Sequence, residues 1–294
     1  MSKSTKLNWK STVTWGLILL YFISLIVFIG DPKTATGILE LTGVILLLLH
    51  GHSRYGWKGI LMFVLIAFSV STLLEDLSIR TGIPFGHYYY HLVGAPIPVP
   101  YIDKVPIFVG PIYIAVGYLS WTLGSLILDH ADLHLDQKWN VVLMPLVSAF
   151  IMVQFDLVQD PVTATYQKMW IWTNGGGFNG VPLVNFLGWY LTCFTFMLIF
   201  SIWLSKHQSV IKHTPQLATK SFWLQPITLY TLIGFSYVTG YLYNLNNTTA
   251  VKDMTGHAWL VNNIYETAVT VMIFTMLYTV VLALVHLFKR TSTH

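Results

Sequence analysis

Residues 140–160 read NVVLMPLVSAFIMVQFDLVQD, a long apolar run with no charged residue before Asp156. About 20 apolar residues in helical form cross the ~30 Å hydrocarbon core of a bilayer. The stretch is too long for a buried strand, so it predicts a transmembrane helix carrying two carboxylates at one end. Working outward, comparable runs cover about 13–30, 35–50, 58–75, 105–128, 182–204, 223–245 and 263–288. Together they predict an all-α polytopic transmembrane bundle of about eight spans, with residues 1–294 forming a single integral membrane domain.

Composition agrees with that reading. Of 294 residues, 54% are hydrophobic and 10% charged, and the mean hydropathy is +0.62. A soluble domain carries roughly 25% charged residues. The formal charge of +4 would suggest a nucleic-acid partner in a soluble protein. Here the basic residues fall in short loops, where they report orientation instead. Lys3, Lys6, Lys10, Arg54, Lys58, Lys138, Lys206, Lys212, Lys220, Lys289 and Arg290 fall on one side, against Lys33, Arg80, Lys104, Lys168 and Lys252 on the other. This excess places both termini in the cytoplasm of a multi-pass cell-membrane protein. The expected partners are membrane lipids and a lipid-soluble substrate, with no nucleic acid. The first apolar run lacks a small-residue cleavage site and reads as a retained anchor. Cys193, the sole cysteine, lies in an apolar run and reads as a packing residue.

The acidic residues carry the functional signal. Glu40, Glu75, Asp76, Asp156, Asp160 and Glu266 lie within or at the edges of predicted spans. With the topology above, all of them fall in the outer half of the bilayer or at its outer boundary. A charge at the bilayer centre costs at least about 2.5–3.5 kcal/mol, so these side chains must face one another, a partner or a cavity. Asp156 and Asp160 are four apart and share a helix face. Two carboxyl groups held together away from water favour a shared proton over two charges, and a held proton is what a general acid needs. The structural alternative is capping of the helix end or an ion pair with Arg80 or Lys168. Neighbours on a helix point about 100° apart, so Glu75 rather than Asp76 is expected to face the shared cavity. Glu266, four residues after Asn262, extends a polar face, and Glu40 reads equally as a structural hydrogen-bonding residue.

Aromatic residues surround the same level. Tyr230, Tyr237, Tyr241 and Asn244 form one stripe, and Tyr237 and Tyr241 lie deeper than an interfacial belt. They are expected to line a pocket, where ring faces stabilise a carbocation. Phe85, Tyr88, Tyr89, Tyr90, Trp170, Trp172 and Trp259 lie in the outer loops, and Trp189 within a span. The spacings His87-x-x-x-His91 and His130-x-x-x-His134 look like metal-ligand pairs, but the topology puts them on opposite sides, so no metal site is expected. His87 and His257 are instead candidates to orient a carboxylate or stack at a pocket mouth. No nucleophile elbow, Walker loop or dinucleotide fingerprint is present, so no nucleotide or redox cofactor is implied.

Two longer stretches add a family resemblance. Glu75 through Tyr90 reads EDLSIRTGIPFGHYYY, followed by Val105-Pro106, and Asp160 through Trp189 reads DPVTATYQKMWIWTNGGGFNGVPLVNFLGW. These resemble the membrane-bound carotenoid biosynthesis family that includes carotenoid 1,2-hydratases such as bisanhydrobacterioruberin hydratase. The resemblance implies cofactor-independent addition of water to the terminal double bond of an acyclic carotenoid. A carotene cyclase would begin with the same protonation. On such chemistry, Asp156 or Asp160 is the expected acid, and Glu75 or Glu266 positions water. Tyr237 and Tyr241 would flank the cation, with Tyr88, His87, Asn185 and Trp189 contacting the substrate. A proton-coupled transporter is the alternative from another class, but it predicts staggered acids and pseudo-repeats.

Overall fold

The computed structural model describes residues 9–29, 32–92, 99–212 and 214–289. Lys3, Lys6 and Arg290, used above for orientation, lie outside the described residues, as does the side chain of Lys33. The chain is an all-α polytopic protein. Its helices are α1 (Trp9–Val27), α2 (Pro32–Leu46), α3 (His52–Thr81), α4 (Val109–Ile127), α5 (Lys138–Asp160), α6 (Leu183–Lys206), α7 (Lys220–Tyr243), α8 (Val261–Phe274) and α9 (Met276–Lys289).

Six helical runs are long and apolar enough to cross a membrane: Trp9–Val27, Gly37–Thr81, Val109–Ile127, Lys138–Tyr166, Leu183–Lys206 and Val261–Lys289. The eight expected runs therefore map with two differences. The run at 223–245 forms α7, 24 residues long, but Ser221, Gln225, Thr228, Thr231, Ser236 and Thr239 dilute its apolarity below that of the other six. The runs at 35–50 and 58–75 are joined through a π-helical turn, Leu47–Gly51, into one helical stretch that breaks at Gly56.

Gly56 has φ 62° and ψ 178°, a backbone region open essentially to glycine alone. The chain folds back there. Before the break, Gly43 abuts Ala115, Gly51 abuts Tyr118, and Arg54 bonds Thr122, advancing along α4. After it, Phe63 packs on Tyr118 and Phe68 on Gly110, retreating along the same helix. Gly51 also abuts Ile60, which a straight helix would hold about 13 Å away at 1.5 Å per residue. Gly56→Ala is expected to cost about 1–3 kcal/mol, seen as a lower thermal midpoint in detergent; an unchanged midpoint would show that the turn relaxes.

α4 is apolar all round, and every residue from Val109 to Leu126 except Pro111 is buried, so it is the axis of the bundle. The other spans turn large apolar side chains outward, among them Leu20, Leu65, Phe150, Leu187 and Phe274. Such a surface is unfavourable in water and favourable against hydrocarbon.

The ends of α3, α5 and α7 and the starts of α4, α6 and α8 lie at one end of the bundle. Three short antiparallel pairs close that end: β1 (Tyr88–Tyr90) with β4 (Trp170–Trp172), β2 (Tyr101–Ile102) with β3 (Val105–Pro106), and β5 (Ala250–Lys252) with β6 (Ala258–Leu260).

The opposite end corrects one sequence expectation. Arg54 was assigned to a basic loop, yet it is 1% exposed and forms a 2.7 Å ion pair with the fully buried Asp132. Tyr55 Oη donates to the same Asp132 oxygen at 2.6 Å, and Trp121 donates to Tyr55 Oη at 2.9 Å. Ser125 donates to Asp132 as well. The cluster ties α3, α4 and the turn at Ala131–Leu133 together.

Candidate active site

Strand periodicity explains how the closing loops build a wall. Alternate strand residues face opposite sides, and Tyr88 pairs with Trp172 while Tyr90 pairs with Trp170. These four side chains face inward, whereas Tyr89 between them is exposed. On α6, Asn185 and Trp189 are four residues apart and so share a face. Trp189 stacks on Tyr113 of α4 at 4.5 Å and 15°. The cavity between them is lined by Tyr88, Tyr90, Trp170 and Trp172, by Asn185 and Trp189, and by Glu75, Tyr113, Gln159 and Asp160, with Phe85, Phe108, Val109 and Ile112 completing it.

Glu75, near the end of α3, is held by three phenols. Tyr113 Oη donates to Oε1 at 2.8 Å, while Tyr90 at 3.2 Å and Tyr88 at closer range both donate to Oε2. Burial first, and then the charge of Glu75, pushes the Tyr88 and Tyr90 phenols well above their ordinary value. They therefore remain donors at neutral pH. A carboxylate that only accepts matches three such donors.

The second carboxyl group is a pair. Asn185 Nδ2 donates to Asp156 Oδ2 at 3.1 Å and to Asp160 Oδ2 at 2.5 Å, so one amide on α6 clamps both aspartates of α5. Asp156 is 0% exposed and Asp160 1%. Their Oδ1 atoms have no donor among the described residues, and the two groups lie close enough to interact directly. A proton shared between them would supply the missing donor, because a protonated carboxyl donates where an ionised one only accepts. Glu75 also lies within electrostatic range of both. The anticipated ion pairs with Arg80 and Lys168 do not form: Arg80 binds Asp76 and Asp103, and Lys168 donates to the Lys252 carbonyl.

The structure thus brings Glu75, Asp156, Asp160, Asn185, Trp189 and Tyr88 together, and separates the remaining candidates from them. Glu266 is exposed, in a surface groove with Asn263 and Thr267. The buried face of α8 runs through Val261, Ile264, Tyr265 and Ala268, and Glu266 is turned about 100° from Tyr265. His87 and His257 are exposed loop residues. Tyr237 lines a different, neighbouring cavity, and the half-buried Tyr241 lines neither. Glu40 is half-buried on α2 and also lines neither. Tyr230, from the same stripe, is buried and donates to the Ile151 carbonyl at 2.9 Å. Tyr113, the third donor to Glu75, was missed; a tyrosine in an apolar span carries no local sign of its partner.

A family model described as carotenoid biosynthesis protein matches residues 35–251. The chain belongs to this carotenoid biosynthesis family. No curated protein and no solved structure matches it. The matched region begins within α2 and ends in β5, so every residue of the carboxyl site lies inside the part shared with the carotenoid biosynthesis family.

Proposed function

We propose that the protein is a carotenoid hydratase, adding water to the terminal double bond of an acyclic carotenoid without a cofactor. The observation that carries this reading is the pairing of two unlike carboxyl sites across one cavity: an aspartate pair sharing an amide, and a glutamate saturated by phenol donors. The free volume among them is about 30 Å³, enough for about two water molecules. Membership in the carotenoid biosynthesis family supplies the substrate class.

In this reading Asp160, which lines the cavity, gives its proton to the less substituted alkene carbon. The alkene π pair forms the new C–H bond and leaves a tertiary cation. Water attacks the cation through oxygen, and its surplus proton returns to the aspartate pair, so the net change is one added water with no oxidation. Glu75, acting through Tyr88, Tyr90 and Tyr113, holds the water and offsets the positive charge. The stacked Tyr113–Trp189 rings present π faces toward it.

The test is expression in a host that accumulates lycopene, with products resolved by mass. A product heavier by one or two waters is expected. An unchanged mass with a shifted chromatographic position would mean an internal alkene had trapped the cation, making the protein a cyclase. Unaltered lycopene beside well-folded protein would remove the reading.

A further inference from the structure

A second cavity lies beside the carboxyl site, with a free volume of about 60 Å³, twice that of the first. It is built between α1, α2, α5, α7 and α8, and its walls include Leu25, Leu39, Phe155 and Ile233 together with Tyr237 and Tyr265. Phe28 and Ile29, at the end of α1, also line it and are each 38% exposed, so the cavity has a mouth on the apolar outside of the bundle.

Gln159 lines both cavities. It is 4% exposed, yet among the described residues its side-chain amide makes no hydrogen bond. An amide that faces a cavity without protein partners is left to hydrogen-bond water or a ligand there. Its neighbour on α5 is Asp160, and Tyr237, across the second cavity, lies within electrostatic range of Asp156 and Asp160. One side chain thus separates the carboxyl-lined cavity from a larger one that reaches the outside of the bundle at Phe28 and Ile29.

We infer that the second cavity receives the end segment of a polyene whose remaining length lies against the outside of the bundle in hydrocarbon, and that Gln159 is the positioning residue at its inner end. The chain enters from hydrocarbon past Phe28 and Ile29 and lies along Leu25, Leu39 and Ile233. Its terminal double bond then passes Gln159 into the carboxyl cavity, which Asp160 lines. The Gln159 amide, at the boundary, keeps the water held by the Glu75 phenols on the carboxyl side and out of the second cavity. This assignment rests on the hydratase reading for the role of the water, but not for the occupancy of the chamber.

Cysteine protection separates the two. Cys193 is fully buried, so the native chain offers a silent background to a small membrane-permeant maleimide. Ser236→Cys and Thr163→Cys report from the second cavity, and Asn263→Cys from the exposed face of α8. In nanodiscs, saturating lycopene is expected to slow labelling of the first two by roughly tenfold or more and to leave the third unchanged. The same protection is expected in an Asp160→Asn background, where no turnover is needed. Equal labelling with and without lycopene at both cavity positions overturns the chamber. Gln159→Leu is expected to keep the protection and lower kcat about tenfold or more with KM unchanged; wild-type kcat overturns the positioning role. Protection without any water-added product would sink the hydratase reading while leaving the chamber in place.

Discussion

Replacing Asp160 with asparagine is expected to lower product formation by about 10²–10⁴-fold, the range that a positioned general acid contributes. Asparagine keeps the size of the side chain and can still meet Asn185, so the fold should be retained. What disappears is the transferable proton at the only aspartate of the pair that lines the cavity. Asp156 does not line it and acts through its neighbour and the shared Asn185 amide. Asp156→Asn should therefore lose less, about tenfold, which corresponds to ~1.4 kcal/mol of altered positioning. The measurement is initial rate against lycopene in detergent or nanodiscs, normalised to monodisperse protein. The asymmetry is the discriminating result. Equal, mild losses in both variants would mean the pair is a structural clamp between α5 and α6. Wild-type turnover in Asp160→Asn would remove the acid altogether.

The aspartate pair was legible in the sequence because it depends only on local geometry: four residues on a helix share a face wherever the helix goes. Glu75 against Asp76 was legible for the same reason, and Asp76 does turn outward to Arg80. Glu266 was misplaced because its spacing from Asn262 defines a face but not the direction that face points. Packing of Ile264, Tyr265 and Ala268 decides this, and it turns Glu266 outward. Tyr113 and Trp170 could not have been assigned to the site from spacing alone. Tyr113 reaches Glu75 across 38 residues of sequence, and Trp170 is aimed by pairing with Tyr90 across a separate loop. Gly56 shows the same limit on the fold. A glycine between two apolar runs marks a break, but the fold-back becomes visible only when contacts along α4 reverse direction. Arg54 is the instructive error: a cation at the edge of a span looks like a topogenic loop charge until its partner, 78 residues on, is seen beside it.

That buried pair supports the second large effect. Removing one partner, as in Asp132→Asn or Arg54→Met, is expected to destabilise the protein by about 3–5 kcal/mol, because the remaining charge is left out of water without compensation. Arg54→Met with Asp132→Leu should recover most of that loss, since neither charge is then stranded. The readout is the unfolding midpoint in detergent for the singles and the double; a double variant no better than either single would mean that the lost hydrogen bonds to Tyr55 and Ser125 dominate. The pH dependence follows from Asp132. Burial alone would raise its carboxyl, but the Arg54 guanidinium, with Ser125 and Tyr55, holds it below the usual carboxylate range. A group with a depressed folded-state value contributes its stability above the unfolded-state value, near ~3.9, and loses it as pH falls toward the lower folded one. The contribution of this pair should thus be flat from about pH 8 to 5 and fail only below about pH 4. Because the cluster sits at the opposite end of α4 from Glu75 and Asp160, the stabilised double variant should keep its hydration rate at temperatures where it is folded. A large loss of rate there would show that the two ends are coupled through α4.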